Sequence, residues 1–132
     1  MVGDANMSRA KDDASRHMRA LEAQAREHGH RMIRLAEHGA QDLGDELLIT
    51  DSGLHIVLEA KARANLNGHR ALAKAIGKVE GHSDPQWLVD GTVLAWKRLV
   101  PTGDSGRRMP VGVPEMFCMT SELFYELIRE VD

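Results

Sequence analysis

Three charged residues at the ends of a short apolar stretch could do chemistry together: Asp45, Glu59 and Lys61. Two runs rich in Leu, Ile and Val flank residues 51–53, Asp-Ser-Gly, which predicts a β-hairpin. Because side chains alternate across a strand, Glu59 and Lys61 share a face, and the hairpin brings Asp45 beside Glu59. Two carboxylates and a lysine on one patch of sheet can hold Mg²⁺ and activate a water against a phosphodiester. A solvated Glu/Lys pair at a strand edge remains the alternative interpretation.

Length and composition indicate one ordinary globular domain. The chain has 132 residues, enough for one core but not for two. No apolar run approaches the ~20 residues of a membrane span, and the first residues lack the basic and apolar blocks of a secretory signal. Cys118 is the only cysteine, which excludes an intramolecular disulfide and a zinc site built from cysteines. We therefore expect a cytoplasmic protein without a membrane partner.

The net charge of −3 is unusual for a protein that binds nucleic acid. Aromatic residues add no support for nucleic-acid binding, since no alternation of basic and aromatic residues surrounds Trp87 or Trp96. Both are therefore assigned to the core or to an interface. Local clustering matters more than the sum of charges for attracting phosphates. The basic residues that crowd the first part of the chain are Arg9, Lys11, Arg16, Arg19, Arg26, Arg31 and Arg34.

Two further basic groups are candidates for contacts with a phosphate backbone. Arg70, Lys74 and Lys78 recur every four residues and form one stripe on a predicted helix that follows the Glu-x-Lys strand. The stripe could lie along the phosphates that lead to the metal, and a solvated helix face is an equal alternative. Arg107 and Arg108 fall in a predicted loop, which could order on DNA or form an exposed hairpin tip. No phosphate loop or Gly-x-Gly-x-x-Gly motif is present, so we expect no nucleotide cofactor.

The elements that must position these residues follow the order α-β-β-β-α-β-β-α, which predicts a mixed sheet flanked by helices. Residues 1–8 are expected to form a flexible tail, and residues 9–132 a single domain. The first helix is predicted to begin with Ser8 as its N-cap and to stop at Gly29. The later segments are predicted as strand 31–36, polar loop 38–44, hairpin 45–61, helix 69–80, strand 93–99, Gly/Pro-rich loop 101–114, strand 115–119, and a helix from a Ser121 cap through residue 131.

This order, with acidic residues on the second and third strands, resembles the PD-(D/E)xK nuclease superfamily. Within the superfamily, the chain is similar to the Holliday-junction resolvases of archaea and their actinobacteriophage relatives. Residues 34–45 carry a strand arginine, a glycine-bearing loop and a Gly-Asp pair, and residues 54–61 end a hydrophobic hairpin in Glu-x-Lys. The resemblance covers about residues 15–128 and is specific between 34 and 61. It implies a restriction-endonuclease-like fold, and a bacterial or phage-infected host cell as the setting.

The resemblance also implies roles for four residues. Asp45 and Glu59 would be the carboxylates that bind Mg²⁺, for which Mn²⁺ can substitute. Lys61 would orient the attacking water or stabilise charge, and Arg34 would contact phosphate.

The first helix departs from the family pattern. The Glu-Arg pair usual in this group falls on Met18 and Arg19, so the arginine matches and the glutamate is missing. Glu22 lies one turn after Met18 on the same face and could replace the missing metal ligand. A solvated Glu22 is an equal alternative.

The leading hypothesis is therefore a Mg²⁺-dependent DNA endonuclease that cuts branched DNA such as a four-way junction. Because a junction needs two symmetric cuts, a two-fold homodimer is the expected assembly. The alternatives are another restriction-like or repair nicking nuclease, and a non-catalytic DNA-binding subunit on the same fold. The residues expected to contact DNA are Arg19, Arg34, Arg70, Lys74, Lys78, Arg107 and Arg108.

Overall fold

A computed structural model describes the backbone of residues 2–82, 84, 86–102 and 107–129, and the side chains of residues 11–82, 84, 86–99 and 115–129. The mixed α/β class and the predicted order of helices and strands are confirmed. The elements are α1 (Val2–Glu27), β1 (Arg31–Arg34), the 3-10 helix η1 (Leu35–His38), β2 (Glu46–Ile49), β3 (His55–Ala62), α2 (Gly68–Glu80), β4 (Gly91–Thr102), β5 (Arg107–Cys118) and α3 (Ser121–Arg129).

The five strands form one sheet in the order β1-β2-β3-β4-β5. β3 and β4 are parallel, and the other neighbouring pairs are antiparallel. α2 makes the crossover between the two parallel strands, as a parallel connection requires. The predicted hairpin of β2 and β3 turns at Gly53, whose φ of 96° favours glycine.

Successive side chains of β3 point to opposite faces of the sheet. Ile56 and Leu58 pack with Leu21 of α1, and Leu123 of α3 joins the same cluster, so we call this side the α1 face. Val57 points to the opposite side, where Val79 of α2 packs, which we call the α2 face. The buried residues of the second cluster are Leu35, Ala40, Leu43, Leu47 and Val57.

The ends of the first helix and strand differ from the prediction. α1 begins at Val2, so Ser8 lies inside the helix, because no glycine or proline interrupts residues 4–8. β1 ends at Arg34, and the chain turns into η1, which Gly39 ends with a φ of 70°. The division into a tail and a single domain stays a prediction.

The prediction of a loop over residues 101–114 was wrong for 101–102 and 107–114, because β4 and β5 pair there as a long antiparallel ribbon, and residues 103–106 lie outside the described residues. Proline, which has no N–H to donate, is tolerated there since β5 is an edge strand. Pairing of β3 with β4 stops at Lys97, so Pro101 of β4 also has an unpaired side. Arg107 and Arg108 are the first residues of β5, and their side chains lie outside the described residues.

Candidate nucleic-acid and metal site

The two predicted acidic residues lie opposite each other at one end of the hairpin. Glu46 pairs with Leu58, which places Asp45, the residue before β2, opposite Glu59. The Asp45 N–H donates to the Leu58 carbonyl at 3.1 Å. Asp45 Oδ2 accepts a hydrogen bond from the Ala60 N–H at 2.8 Å. Asp45 is therefore fixed to the backbone on both sides of Glu59.

Gly44, the residue before Asp45, lies close against β3. A Cβ at Gly44 would overlap Val57 Cγ1 and would lie 3.6 Å from Glu59 Oε2. The close approach of residue 44 to Val57 is possible only because this residue has no side chain. The glycine of the Gly-Asp pair thus has a packing role that its type alone did not reveal.

Lys78 of α2 neutralises Glu59. Its Nζ donates to Glu59 Oε1 at 3.2 Å and to Oε2 at 3.1 Å. The Glu59 side chain is only 11% exposed, so this ion pair compensates a carboxylate that has lost most of its water. The predicted stripe residue therefore contacts the carboxylate of the hairpin in this structure.

A basic cleft of about 360 Å³ opens between the end of β3 and α2. Lys61 lines it together with Glu59, in agreement with the predicted alternation. Within the described residues, four of its cations form no ion pair: Lys61, Arg63, Arg70 and Lys74. The charged side chains that line the cleft are Glu59, Lys61, Arg63, Arg70, Lys74 and Lys78.

Sequence reasoning missed Arg63 as part of this cleft. The signal was present, because Arg63 continues the two-residue period that joins Glu59 to Lys61. Arg70 and Lys74 of the predicted stripe do line the cleft. With five cations and one carboxylate among its charged lining side chains, the cleft suits a phosphate chain.

A second charged cluster lies on the α1 face. Arg34 Nε of β1 donates to Glu22 Oε1 of α1 at 2.5 Å. Glu46 pairs with Arg34 across β1 and β2 and is fully buried. Neither carboxyl oxygen of Glu46 has a hydrogen-bond partner when the group is ionised. The sequence analysis did not identify this acid.

Burial first, and then the negative charge of Glu22, raise the pKa of Glu46 to about 8 against the opposing effect of Arg34. Glu46 is thus protonated at neutral pH and can donate its O–H to Glu22. The pKa of Arg34 is raised above its ordinary value, first because Glu22 accepts its hydrogen bond. The three residues form one network of a neutral acid, a carboxylate and a guanidinium.

The sheet separates this network from the basic cleft. Glu22 and Arg34 lie on the α1 face, whereas Glu59 reaches Lys78 on the α2 face. Over the part of the chain that the structure describes, no three His, Cys, Asp or Glu side chains are grouped closely enough to hold a metal ion. Arg19 is exposed and donates to the Ser15 carbonyl of its own helix at 3.4 Å.

The donor set suits one kind of magnesium site. Mg²⁺ commonly takes one or two protein carboxylates and completes its coordination with water and substrate phosphate oxygens. Asp45 and Glu59 can supply such a pair, provided that Lys78 leaves Glu59. A cage of three protein carboxylates that includes Glu22 does not fit this geometry.

Comparisons with protein-family models, with curated proteins and with solved structures give no match for this chain. The resemblance to PD-(D/E)xK nucleases therefore rests on residues 34–61 and on the order of elements. Across the described residues, no helix is long and apolar enough to cross a membrane.

Proposed function

We propose that the protein is a Mg²⁺-dependent DNA endonuclease of the restriction-endonuclease-like kind, with a four-way junction as its substrate. One observation carries this proposal. Glu59, which lies opposite Asp45 in the hairpin, lines a cleft whose other charged side chains are all basic. Carboxylates that can hold a metal, next to cations that can hold phosphates, are what phosphodiester hydrolysis requires.

In this mechanism each group has a defined task. Asp45 and Glu59 would hold Mg²⁺, which when bound supplies an activated water and a polarised phosphate. Lys61 lies two residues after Glu59 on the same face and places positive charge beside the reacting phosphate. Arg63 and Arg70 bind neighbouring phosphates and fix the register of the strand.

Lys78 changes partner during binding. In the free protein it holds both oxygens of Glu59. If Glu59 held a metal, the Lys78 ammonium group would lose this partner and would be available in the cleft for a phosphate. This exchange reconciles its contact with Glu59 and its predicted contact with DNA.

The proposal includes a homodimer, because resolution of a junction requires two cuts related by symmetry. α3 offers a surface for it. Its Phe124, Tyr125 and Ile128 side chains are 48%, 66% and 46% exposed. Apolar side chains exposed side by side on one helix are typical of association surfaces. Analytical ultracentrifugation of the free protein tests this assembly.

The decisive experiment is cleavage of a synthetic four-way junction with and without Mg²⁺, with a linear duplex of the same sequence as control. Asp45→Asn and Glu59→Gln should each abolish cleavage and leave junction binding intact or stronger, since they remove negative charge that faces phosphate. Lys61→Ala should lose turnover and stay folded. Glu80→Gln, an exposed acid of α2, is the matched control. Full activity in either carboxylate variant would refute the mechanism.

A non-catalytic DNA-binding subunit is the second candidate. It is favoured by the ion pair of Glu59 with Lys78, which already satisfies the carboxylate without a metal, and by the position of Glu22 beside Arg34. Tight junction binding without Mg²⁺-dependent cleavage would support this candidate. Equal cleavage of junction and linear duplex would instead indicate a restriction-like or nicking nuclease.

A further inference from the structure

Trp96 lies beside the proposed reaction site. It is on β4 and shares the α2 face with Leu94, and the parallel register pairs it with Lys61. Its indole Nε1–H donates to the Arg63 carbonyl at 2.9 Å, which fixes the ring against the end of β3. Trp96 was expected in the core or at an interface, and it is half-buried, outside the fully buried core.

The ring lines a recess that adjoins the basic cleft. Asn65, Leu66 and Asn67 belong to the walls of both, so the recess and the cleft are neighbours along residues 65–67. The recess is a shallow, open depression with a volume of about 640 Å³. Arg98 also lines it, and its Nε donates to the Ala64 carbonyl at 3.0 Å.

These groups match the chemistry of a nucleobase. An indole offers a flat face for stacking, which contributes similarly for every base. The guanidinium of Arg98 and the amide of Asn65 can hydrogen-bond to a base edge. A base inside a duplex is stacked on both faces, so only an unpaired nucleotide can place its ring against Trp96.

We propose that Trp96 and Arg98 form a binding site for one unpaired nucleobase, while the adjoining cleft holds the phosphates of the same strand. The protein thereby selects DNA that has an unstacked nucleotide next to the phosphate to be cut. The link between this base site and a phosphate to be cut rests on the proposed function. Binding of the base itself does not require cleavage.

The chain has two tryptophans, which gives a direct assay. Trp87 packs on the α2-face cluster and lies 6.2 Å from the His38 ring, away from the recess. Trp87→Phe therefore leaves Trp96 as the only tryptophan reporter. Titration with single-stranded oligothymidylate in EDTA should quench its fluorescence, and a blunt duplex of equal length should not. Equal quenching by both ligands would overturn the proposal.

A second set of variants measures the contribution of the ring. Trp96→Leu should weaken single-strand binding by roughly 5-fold to 150-fold, the range expected for one stacked base, and change duplex binding by less than about 2-fold. Trp96→Phe keeps an aromatic face and should retain most of the affinity. Lys74→Ala is the control, because loss of a phosphate contact should weaken both ligands equally.

Equal losses for both ligands with Trp96→Leu would refute the base site. If Trp96→Leu does not fold, as judged by circular dichroism, Trp96→Phe and the quenching assay still decide the question. Because all titrations contain EDTA, a failure to find cleavage refutes the proposed endonuclease and leaves the result for the base site standing.

Discussion

Glu46 gives the sharpest test of the structure, because it is a buried acid that burial and Glu22 keep protonated. We expect Glu46→Gln to stabilise the protein at neutral pH. Glutamine has nearly the same shape as a protonated glutamate, is neutral at every pH, and has an amide N–H that can donate to the Glu22 carboxylate. The substitution keeps the hydrogen bond to Glu22 and removes the group that titrates.

The size of the effect follows from the pKa. Glu46 titrates at about 8 in the folded protein, against an ordinary value of 4.5. Between these values the folded protein holds a proton that the unfolded chain has released. The free energy of unfolding therefore falls as pH rises, by about 1.4 kcal/mol per pH unit and by at most ~5 kcal/mol across the window. At pH 7 the loss is ~3 kcal/mol, and Glu46→Gln should recover about 2–3 kcal/mol.

Urea unfolding followed by circular dichroism, in EDTA from pH 5 to pH 9, measures this difference. The stabilisation by Glu46→Gln should be small at pH 5 and grow up to pH 8. Glu37→Gln, an exposed acid of η1, should give no such trend. A difference between wild type and Glu46→Gln that stays constant across the range would show that Glu46 is not protonated in the folded state.

Three further outcomes are expected. Lys78→Met leaves the Glu59 carboxylate without its cation and should lower the free energy of unfolding by about 1–3 kcal/mol, and millimolar Mg²⁺ should restore part of this loss in thermal melts. The control Lys74→Met, at an exposed position, should change the free energy of unfolding by less than ~0.5 kcal/mol. An equal loss in both variants would exclude a special role for Lys78. Gly44→Ala should cost about 1–3 kcal/mol in chemical denaturation because its methyl group overlaps Val57; wild-type stability would refute this close approach. Lys74→Ala should reduce the slope of log affinity for DNA against log salt by about 1, and an unchanged slope would remove this lysine from the phosphate path.

Much of the fold was predictable because local patterns set it. Alternating apolar residues around a turn predicted β2 and β3, and Gly29 and Gly53 do adopt positive φ at the ends of elements. The ribbon of β4 and β5 was not predictable, because Pro101 and its neighbours predict a loop by composition. The prolines of β5 are acceptable because β5 is an edge strand, and Pro101 is acceptable because the pairing of β3 with β4 stops at Lys97.

The site was predictable where it depends on the hairpin, and not where it depends on helix packing. Register alone places Asp45 opposite Glu59. The bond of Lys78 to Glu59 depends on how α2 lies on the sheet, which no local pattern specifies. Glu46 did leave a signal, because it alternates with Leu48 in an apolar strand and so must face α1.

The ion pair between Lys78 and Glu59 has a consequence for folding and metal dependence in the cell. A chain that carries its own counter-ion can be synthesised, fold and persist without drawing on the supply of divalent cations. Under the proposed function, the Lys78 ammonium group would leave Glu59 only when a divalent cation binds Glu59 and a phosphate binds Lys78. The enzyme would then respond to the coincidence of metal and DNA and stay idle with either one alone.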